Sequence, residues 1–297
     1  MSLFRRKNAR VTLPPMAQRA GAPAAARPGS DLDWRSYDSV AEAYARVGER
    51  VTGPPAQELI RLLEIGPGSR VLDLGTGTGV AARLAAGTAP GAVVVGVDPS
   101  TAMLAQAHSM DGRARYASAL AIDLPFRDGT FSHLIANFVL SHVPRYETAL
   151  FDMMRVLAPG GRLGVTNWAM GEDDDEFSRA WREVAEQFAE HEILQDAHDR
   201  VVPWEERFSD KEQLKDALHE AGLRDIWVQR YEFRVEVTAE EYCADHETTS
   251  VGRFLRDMLG EEFWPAFQKR TREVFAQRFP ERFHDFHQAI LAVGHKP

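Results

Sequence analysis

The stretch Val71-Leu72-Asp73-Leu74-Gly75-Thr76-Gly77-Thr78-Gly79-Val80 decides the fold. An apolar run of strand character passes into a glycine-rich turn, and Ala81-Ala82 then opens a helix. Glycine lets backbone N–H groups approach a ligand that a Cβ would exclude, and a helix N-terminus favours negative charge. A second signal follows at a matching distance: Val93-Val94-Val95-Gly96-Val97-Asp98 reads as a buried strand ending in an acid 23 residues after Gly75. A carboxylate at that point accepts both hydroxyls of a ribose.

Two nucleotide cofactors compete for this unit, a dinucleotide and S-adenosylmethionine. The dinucleotide fingerprint asks for Gly or Ala at the sixth position of G-x-G-x-x-G, where this sequence has Val80. Asp73, inside an otherwise apolar strand, is costly to bury and unhelpful beside a pyrophosphate, but it suits the ammonium of a methionine moiety. Asp73 therefore favours S-adenosylmethionine.

Outward from this unit, Arg70–Leu74, Ala92–Val97, Arg113–Tyr116, Phe131–Asn137 and Arg162–Asn167 read as strands separated by segments long enough for crossover helices. That alternation predicts an α/β doubly wound parallel sheet. Asp225–Val235 and Gln288–Gly294 add two further strands. Upstream, Ser39 and Glu42 form a capping box for a helix carrying Val40, Tyr44, Val47 and Val51, and a second short helix is expected at Pro55–Leu63. Ser209 with Glu212 caps another helix, closed by Gly222, and Thr238 with Glu241 opens a helical block to about Phe286, with Phe263, Phe267 and Phe275 as its core stripe. The expected organisation is a basic tail over 1–30, with folded structure from about Asp31. An N-terminal helical lid (31–65), a cofactor-binding core (66–168), a helical insertion (169–206), a core continuation (207–235), a second helical lid (236–286) and a last strand (287–297) follow.

Composition narrows the function. With 297 residues and 44% hydrophobic content, the chain can bury one large core or a core plus a cap. The net charge of −9 hides an asymmetry. Residues 1–30 carry six basic side chains and no acid, so the rest holds 29 basic against 44 acidic residues, a balance of −15. Such a body repels a phosphate backbone, which argues against nucleic acid. The tail reads as disordered, although its Arg-rich, acid-poor composition also resembles a transit peptide. No apolar run approaches ~18 residues and the N-terminus lacks the apolar block of a secretory signal, so a cytoplasmic protein without membrane contact is expected. Cys243 stands alone, which rules out an internal disulfide or a multi-cysteine metal site and leaves it a packing role. The acidic run Glu172-Asp173-Asp174-Asp175-Glu176 reads as a solvated helix start rather than a metal site, and no metal is expected.

Three of these segments carry a family resemblance: Val71–Gly79, Val93–Asp98 and Asp123-Leu124-Pro125-Phe126-Arg127-Asp128-Gly129-Thr130-Phe131. Phe138-Val139-Leu140-Ser141-His142-Val143 and Arg155-Val156-Leu157-Ala158-Pro159-Gly160-Gly161-Arg162-Leu163 extend it. In this series the chain resembles the class I S-adenosylmethionine-dependent methyltransferases, in the branch similar to ubiquinone and menaquinone biosynthesis enzymes. The matching motifs span about Ser36 to Trp168 plus the helix at 209–222. The resemblance implies a Rossmann-like sheet of seven strands, the last antiparallel, with helical lids and S-adenosylmethionine as cofactor. It implies that Gly75, Thr76, Gly77 and Gly79 line the methionine and ribose, that Asp73 orients the amino group and that Asp98 holds the ribose. Pro99 and Met103 would then pack on the adenine, and Asn137 would face the sulfonium end. One departure stands out: the family's adenine-binding acid falls on Leu120, which leaves backbone groups near Ala119–Ala121, helped by Ser118, to hold the base.

Methyl transfer from a sulfonium is an in-line displacement, so it needs alignment and exclusion of water, and a base only where the nucleophile must lose a proton. His142, just beyond the fourth strand, is the first candidate base. Tyr37 and Tyr44, seven apart on one helix face, are further catalytic candidates and close the cofactor pocket, with Trp168 and His142 as acceptor-pocket walls. His191, His198, Tyr242 and His246, in the insertions, are placed to face substrate. Asn137-Phe138-Val139-Leu140 lacks the Asn/Asp-Pro-Pro-Tyr pattern of nucleic-acid and protein amide methylation. The expected acceptor is a small organic molecule, natural-product or quinone-like, methylated on oxygen or carbon. The alternative is a protein of the same fold that binds S-adenosylmethionine without methylating, as a cyclase or ligand-binding protein. A monomer or homodimer is expected.

Overall fold

The computed structural model describes residues 34–110, 112–169 and 175–297. The tail over 1–30, the onset at Asp31 and residues 172–174 of the acidic run lie outside the described residues. A 3-10 turn at Asp38–Val40 leads into α1 (Ala41–Leu63). Then β1 (Arg70–Leu74), α2 (Val80–Thr88), β2 (Val93–Asp98), α3 (Thr101–Met110), β3 (Arg115–Ser118), β4 (Phe131–Asn137), α4 (Tyr146–Val156) and β5 (Leu157–Trp168) follow. A helical segment of α5 (Glu176–Ala185), α6 (His191–Val201), α7 (Glu205–Phe208) and α8 (Lys211–Glu220) precedes β6 (Arg224–Thr238). Last come α9 (Ala239–His246), α10 (Ser250–Arg278), which is interrupted at Gly260, and β7 (Arg282–His295).

Among these residues the strands form one seven-stranded sheet in the order β3-β2-β1-β4-β5-β7-β6. β1 to β5 run parallel, and β7 lies antiparallel to both of its neighbours. The strand order reverses between β1 and β4, so the carboxyl ends of these two strands flank the crevice where such sheets bind ligands. β1 is buried from Val71 to Leu74 because helices cover both faces. On one face Leu72, Leu134 and Leu163 pack with Met153 of α4 and Leu214 and Leu218 of α8. On the other, Val71 and Ile135 meet Leu59, Ile60 and Leu63 of α1 and Ala82 and Ala85 of α2. A third cluster joins Trp181 of α5, Tyr242 of α9, Phe267 and Phe275 of α10, and Phe283 of β7.

Four local readings change. Ser39 lies in the 3-10 turn and makes no cap bond, so the Ser39–Glu42 box does not form. α1 runs unbroken through Pro54 and Pro55. An interior proline costs about 3 kcal/mol, which the buried face from Val51 through Pro55, Ala56 and Leu59 outweighs. Asp210, not Ser209, caps α8, accepting from the Glu212 and Gln213 N–H groups. β7 begins at Arg282, because 282–287 pairs with β6 as far as Thr238, and the helical lid is shorter than expected. The Thr238–Glu241 capping box is formed, and Asp175 of the acidic run caps α5.

Candidate functional site

The glycine turn is shaped by its neighbours. Gly75 has φ 62°, and a Cβ there would lie 2.6 Å from Val139 Cγ2. Gly77 has φ 53° with nothing within 4 Å of its Cβ position, so its backbone faces open space. The Thr76 N–H donates to the Val97 carbonyl (2.9 Å) and ties the turn to β2. Its hydroxyl donates to Asp73 Oδ2 (2.6 Å). Gly79 is placed differently: its missing Cβ faces the Tyr116 hydroxyl at 2.6 Å, and it does not line the cavity described below. Its glycine allows the turn to approach Tyr116 of β3 and Ala107 of α3 closely.

Asp73 is 1% exposed, and its Oδ1 has no partner. Burial raises this carboxyl to about 7. A buried carboxylate oxygen without a donor is expensive, so the geometry fits a cationic partner arriving beside Gly75 and Gly77. Asp98 accepts from the Gly77 N–H (2.9 Å) and the Ser100 N–H (2.9 Å), one on each oxygen. Each oxygen keeps a second lone pair for a hydroxyl donor. Burial also raises Asp98. Asp38, ahead of α1, accepts from the Ser100 hydroxyl (2.5 Å) and is held below the usual carboxylate range chiefly by that bond. The N-terminal segment is thereby pinned beside Asp98. Asp38→Ala is expected to lower cofactor affinity about 2- to 10-fold, the worth of one such bond. Calorimetric titration checks this, and an unchanged affinity would remove Asp38 from the closure.

One cavity of about 1320 Å³ extends from these groups to the helices that follow β5 and β6. It is lined by Gly75, Gly77, Asp98, Pro99, Met103, Ala119, Leu120 and Asn137, and also by Tyr37, Tyr44, His142 and Trp168. A small recess joins Asp73 and Thr76 to Tyr44, Gly75, Gly77 and Asn137. Leu120 is 55% exposed, with no carboxylate at that place. Asn137 Oδ1 accepts from the Thr166 hydroxyl (2.6 Å), which itself accepts from the Phe138 N–H (2.9 Å). Phe138 adopts φ 58°, a strained conformation for a non-glycine residue, and stacks on Trp168 with centroids 4.0 Å apart. His191, His198 and His246 also line the cavity, and Tyr242 is buried in the third cluster.

His142 is half-buried in the cavity wall, and its Nδ1 lies 3.2 Å from the Val201 carbonyl. Burial, and then the charge of Arg253, lower it to about 4. It is therefore neutral at pH 7 and takes up a proton only at a cost. Tyr37 meets the rings of both Tyr44 (5.7 Å) and His142 (6.1 Å). Tyr44 is raised, first by burial.

Several residues escaped the sequence reading. Arg253, 2% exposed, lies 3.9 Å over the Tyr37 ring and donates to the carbonyls of Trp34 and Thr248. Arg155 binds Asp152, Asp128 and the carbonyls of Leu124 and Phe126, which ties the Leu124-Pro125-Phe126 and Arg155 segments to each other. Asp285 and His287 of β7 also line the cavity. Among the described residues there is no group of three or more metal-ligand side chains, and no helix is long and apolar enough to cross a membrane.

Residues 72–165 match a family described as a methyltransferase domain. A demethylmenaquinone methyltransferase of Thermus thermophilus is 45% identical over 100 residues, covering 32% of this chain and 46% of that protein. A malonyl-[acyl-carrier protein] O-methyltransferase of Halorhodospira halophila is 31% identical over 196 residues, covering 64% of this chain and 61% of that protein. The chain spans about half the length of the curated relatives it matches. Among solved structures, a Haemonchus contortus phosphoethanolamine N-methyltransferase in complex with S-adenosylhomocysteine superposes with a TM-score of 0.52 at 18% identity, over 90% of this chain and 60% of that one. With the sheet order, the glycine turn and these matches together, residues 72–165 of this chain are a methyltransferase domain on the Rossmann-like sheet of the class I type.

Proposed function

We propose that this protein transfers a methyl group from S-adenosylmethionine to an oxygen or carbon of a small organic acceptor in the cytoplasm. The observation that carries this reading is the single cavity running from the glycine turn and Asp98 to Trp168 and the lids. Its volume of about 1320 Å³ exceeds the ~300–1,000 Å³ of a pocket for one drug-sized ligand, and so leaves room for cofactor and acceptor side by side. When bound, the cofactor supplies an electrophilic methyl group. Asp73 would face its ammonium and Asp98 its ribose, with Pro99, Met103, Ala119 and Leu120 around the adenine and Asn137 near the methyl end. Tyr37, Tyr44 and His142 would close this space against water, and Trp168 on Phe138 would form a flat wall for the acceptor. The O-methyltransferase named among the relatives supports oxygen as the methylated atom. Cys243 fits a reducing compartment: it is buried, and burial pushes its thiol to about 12, where it stays protonated and unreactive.

The test is incubation with methyl-labelled S-adenosylmethionine and a panel of phenols, enols and amines, beside calorimetry with S-adenosylmethionine and NAD. Labelled product, with binding of S-adenosylmethionine and none of NAD, is the expected result. Cofactor binding without product across the panel would overturn methyl transfer.

A further inference from the structure

The cavity wall also carries a pair on β7 that the cofactor does not require. Asp285 and His287 alternate along β7, so both side chains point to the face that α1 covers, as Ala289 and Leu291 do farther along the strand. His287 Nε2 lies 2.8 Å from Asp285 Oδ2, at an angle too oblique for a formed hydrogen bond. Catalytic contacts of this kind are often poorly aligned before a ligand binds. Nε2 is sealed against Asp285, so the exposed 18% of the side chain lies elsewhere on the ring.

We propose that Asp285 and His287 form the general base of the acceptor site, and that the acceptor is an aromatic or enolic molecule methylated on an ionisable hydroxyl. The pair has the parts that role needs. Asp285, 7% exposed, lies against one ring nitrogen, where its charge stabilises the imidazolium and leaves Nδ1 for the acceptor. Aromatic rings flank the imidazole: Phe233 stacks on it at 5.2 Å and Trp168 lies at 5.8 Å. Trp168 is also the flat wall for the acceptor, so a ring lying along it brings its hydroxyl to the edge of His287. The charged groups facing the pair come from α9. Asp245 lies within electrostatic reach of Asp285, His287 and Tyr44, and His246 neighbours it. Asp245 opens into the cavity and suits a second polar group of the same acceptor.

In the step itself, the hydroxyl proton passes to Nδ1 and the oxygen lone pair forms the new C–O bond to the methyl carbon. The C–S bonding pair returns to sulfur, and the imidazolium is left paired with Asp285. This assignment rests on the methyl-transfer reading and is tested separately from it.

The variants are His287→Gln and Asp285→Asn in the full chain, each first checked for S-adenosylhomocysteine binding by calorimetry, where wild-type affinity is expected. With S-adenosylhomocysteine bound, 4-nitrophenol, whose phenolate absorbs in the visible, should ionise at lower pH on the wild-type protein than in water, and His287→Gln should abolish that shift. In labelled transfer, His287→Gln should lower kcat for unactivated phenols about 100-fold or more with KM little changed. For nitrophenols already ionised at the assay pH the loss should be under tenfold. Equal losses for the two classes, an intact 4-nitrophenol shift, or transfer to amines alone that ignores His287→Gln would each overturn the pair while leaving methyl transfer standing. A wild-type protein that binds the cofactor and methylates nothing would remove both.

Discussion

Asp98→Ala is expected to weaken S-adenosylmethionine binding by about 5- to 150-fold, equivalent to about 1–3 kcal/mol. Two losses combine. The ribose loses its acceptor, and the N–H groups of Gly77 and Ser100 lose theirs, so the glycine turn and the start of α3 loosen together. Asp98→Asn keeps an amide oxygen for one of the two N–H groups and should fall between wild type and alanine. Calorimetric titration of all three proteins reads the effect directly, and wild-type affinity in Asp98→Ala would remove Asp98 from the ribose site.

Cofactor affinity should also rise with pH up to about pH 7 and then level, through Asp73. This carboxyl titrates at 3.8 when unperturbed and is lifted to about 7 by burial in the folded chain. Between those values the folded protein holds a proton that the unfolded chain has lost, so this group's contribution to stability declines as pH rises across the window and is constant above it. An ammonium arriving beside Asp73 favours the ionised form. Binding therefore releases a proton, with an affinity change of up to tenfold per pH unit below the folded value. Asp73→Asn should bind more weakly and flatten the profile. Titrations from pH 5.5 to 8 in buffers of differing ionisation enthalpy would show the proton release, and a wild-type profile already flat would refute the pairing.

Legibility tracked how local each signal is. β1 and β4 begin and end where their apolar runs do, because glycine or a turn bounds each run directly. The double proline of α1 read as a break because its compensation, a buried face against the body of the fold, is not local. Asp38 and Arg253 were invisible for a related reason: their partners lie 62 residues away at Ser100 and 219 residues away at Trp34. The pair on β7 was hidden by periodicity. Residues two apart share a face only on a strand, and the helical reading to Phe286 put the two on opposite sides of a boundary. The family's adenine-binding acid falls on Leu120, and among the described residues the cavity wall from Ala119 to Ile122 carries no carboxylate.

The long β6–β7 ribbon has a topological consequence. Only 289–295 of β7 pair with β5, while pairing with β6 continues outward to Arg282 opposite Thr238. The whole of α9 and α10 is therefore spliced into the far tip of a hairpin, beyond the last rung shared with the sheet. Chain exchanged at that splice leaves the strand order alone, while it replaces Arg253 over Tyr37 and the Asp245–His246 edge of the cavity. A swap of residues 239–281 between proteins of this architecture amounts to changing the tool while keeping the handle.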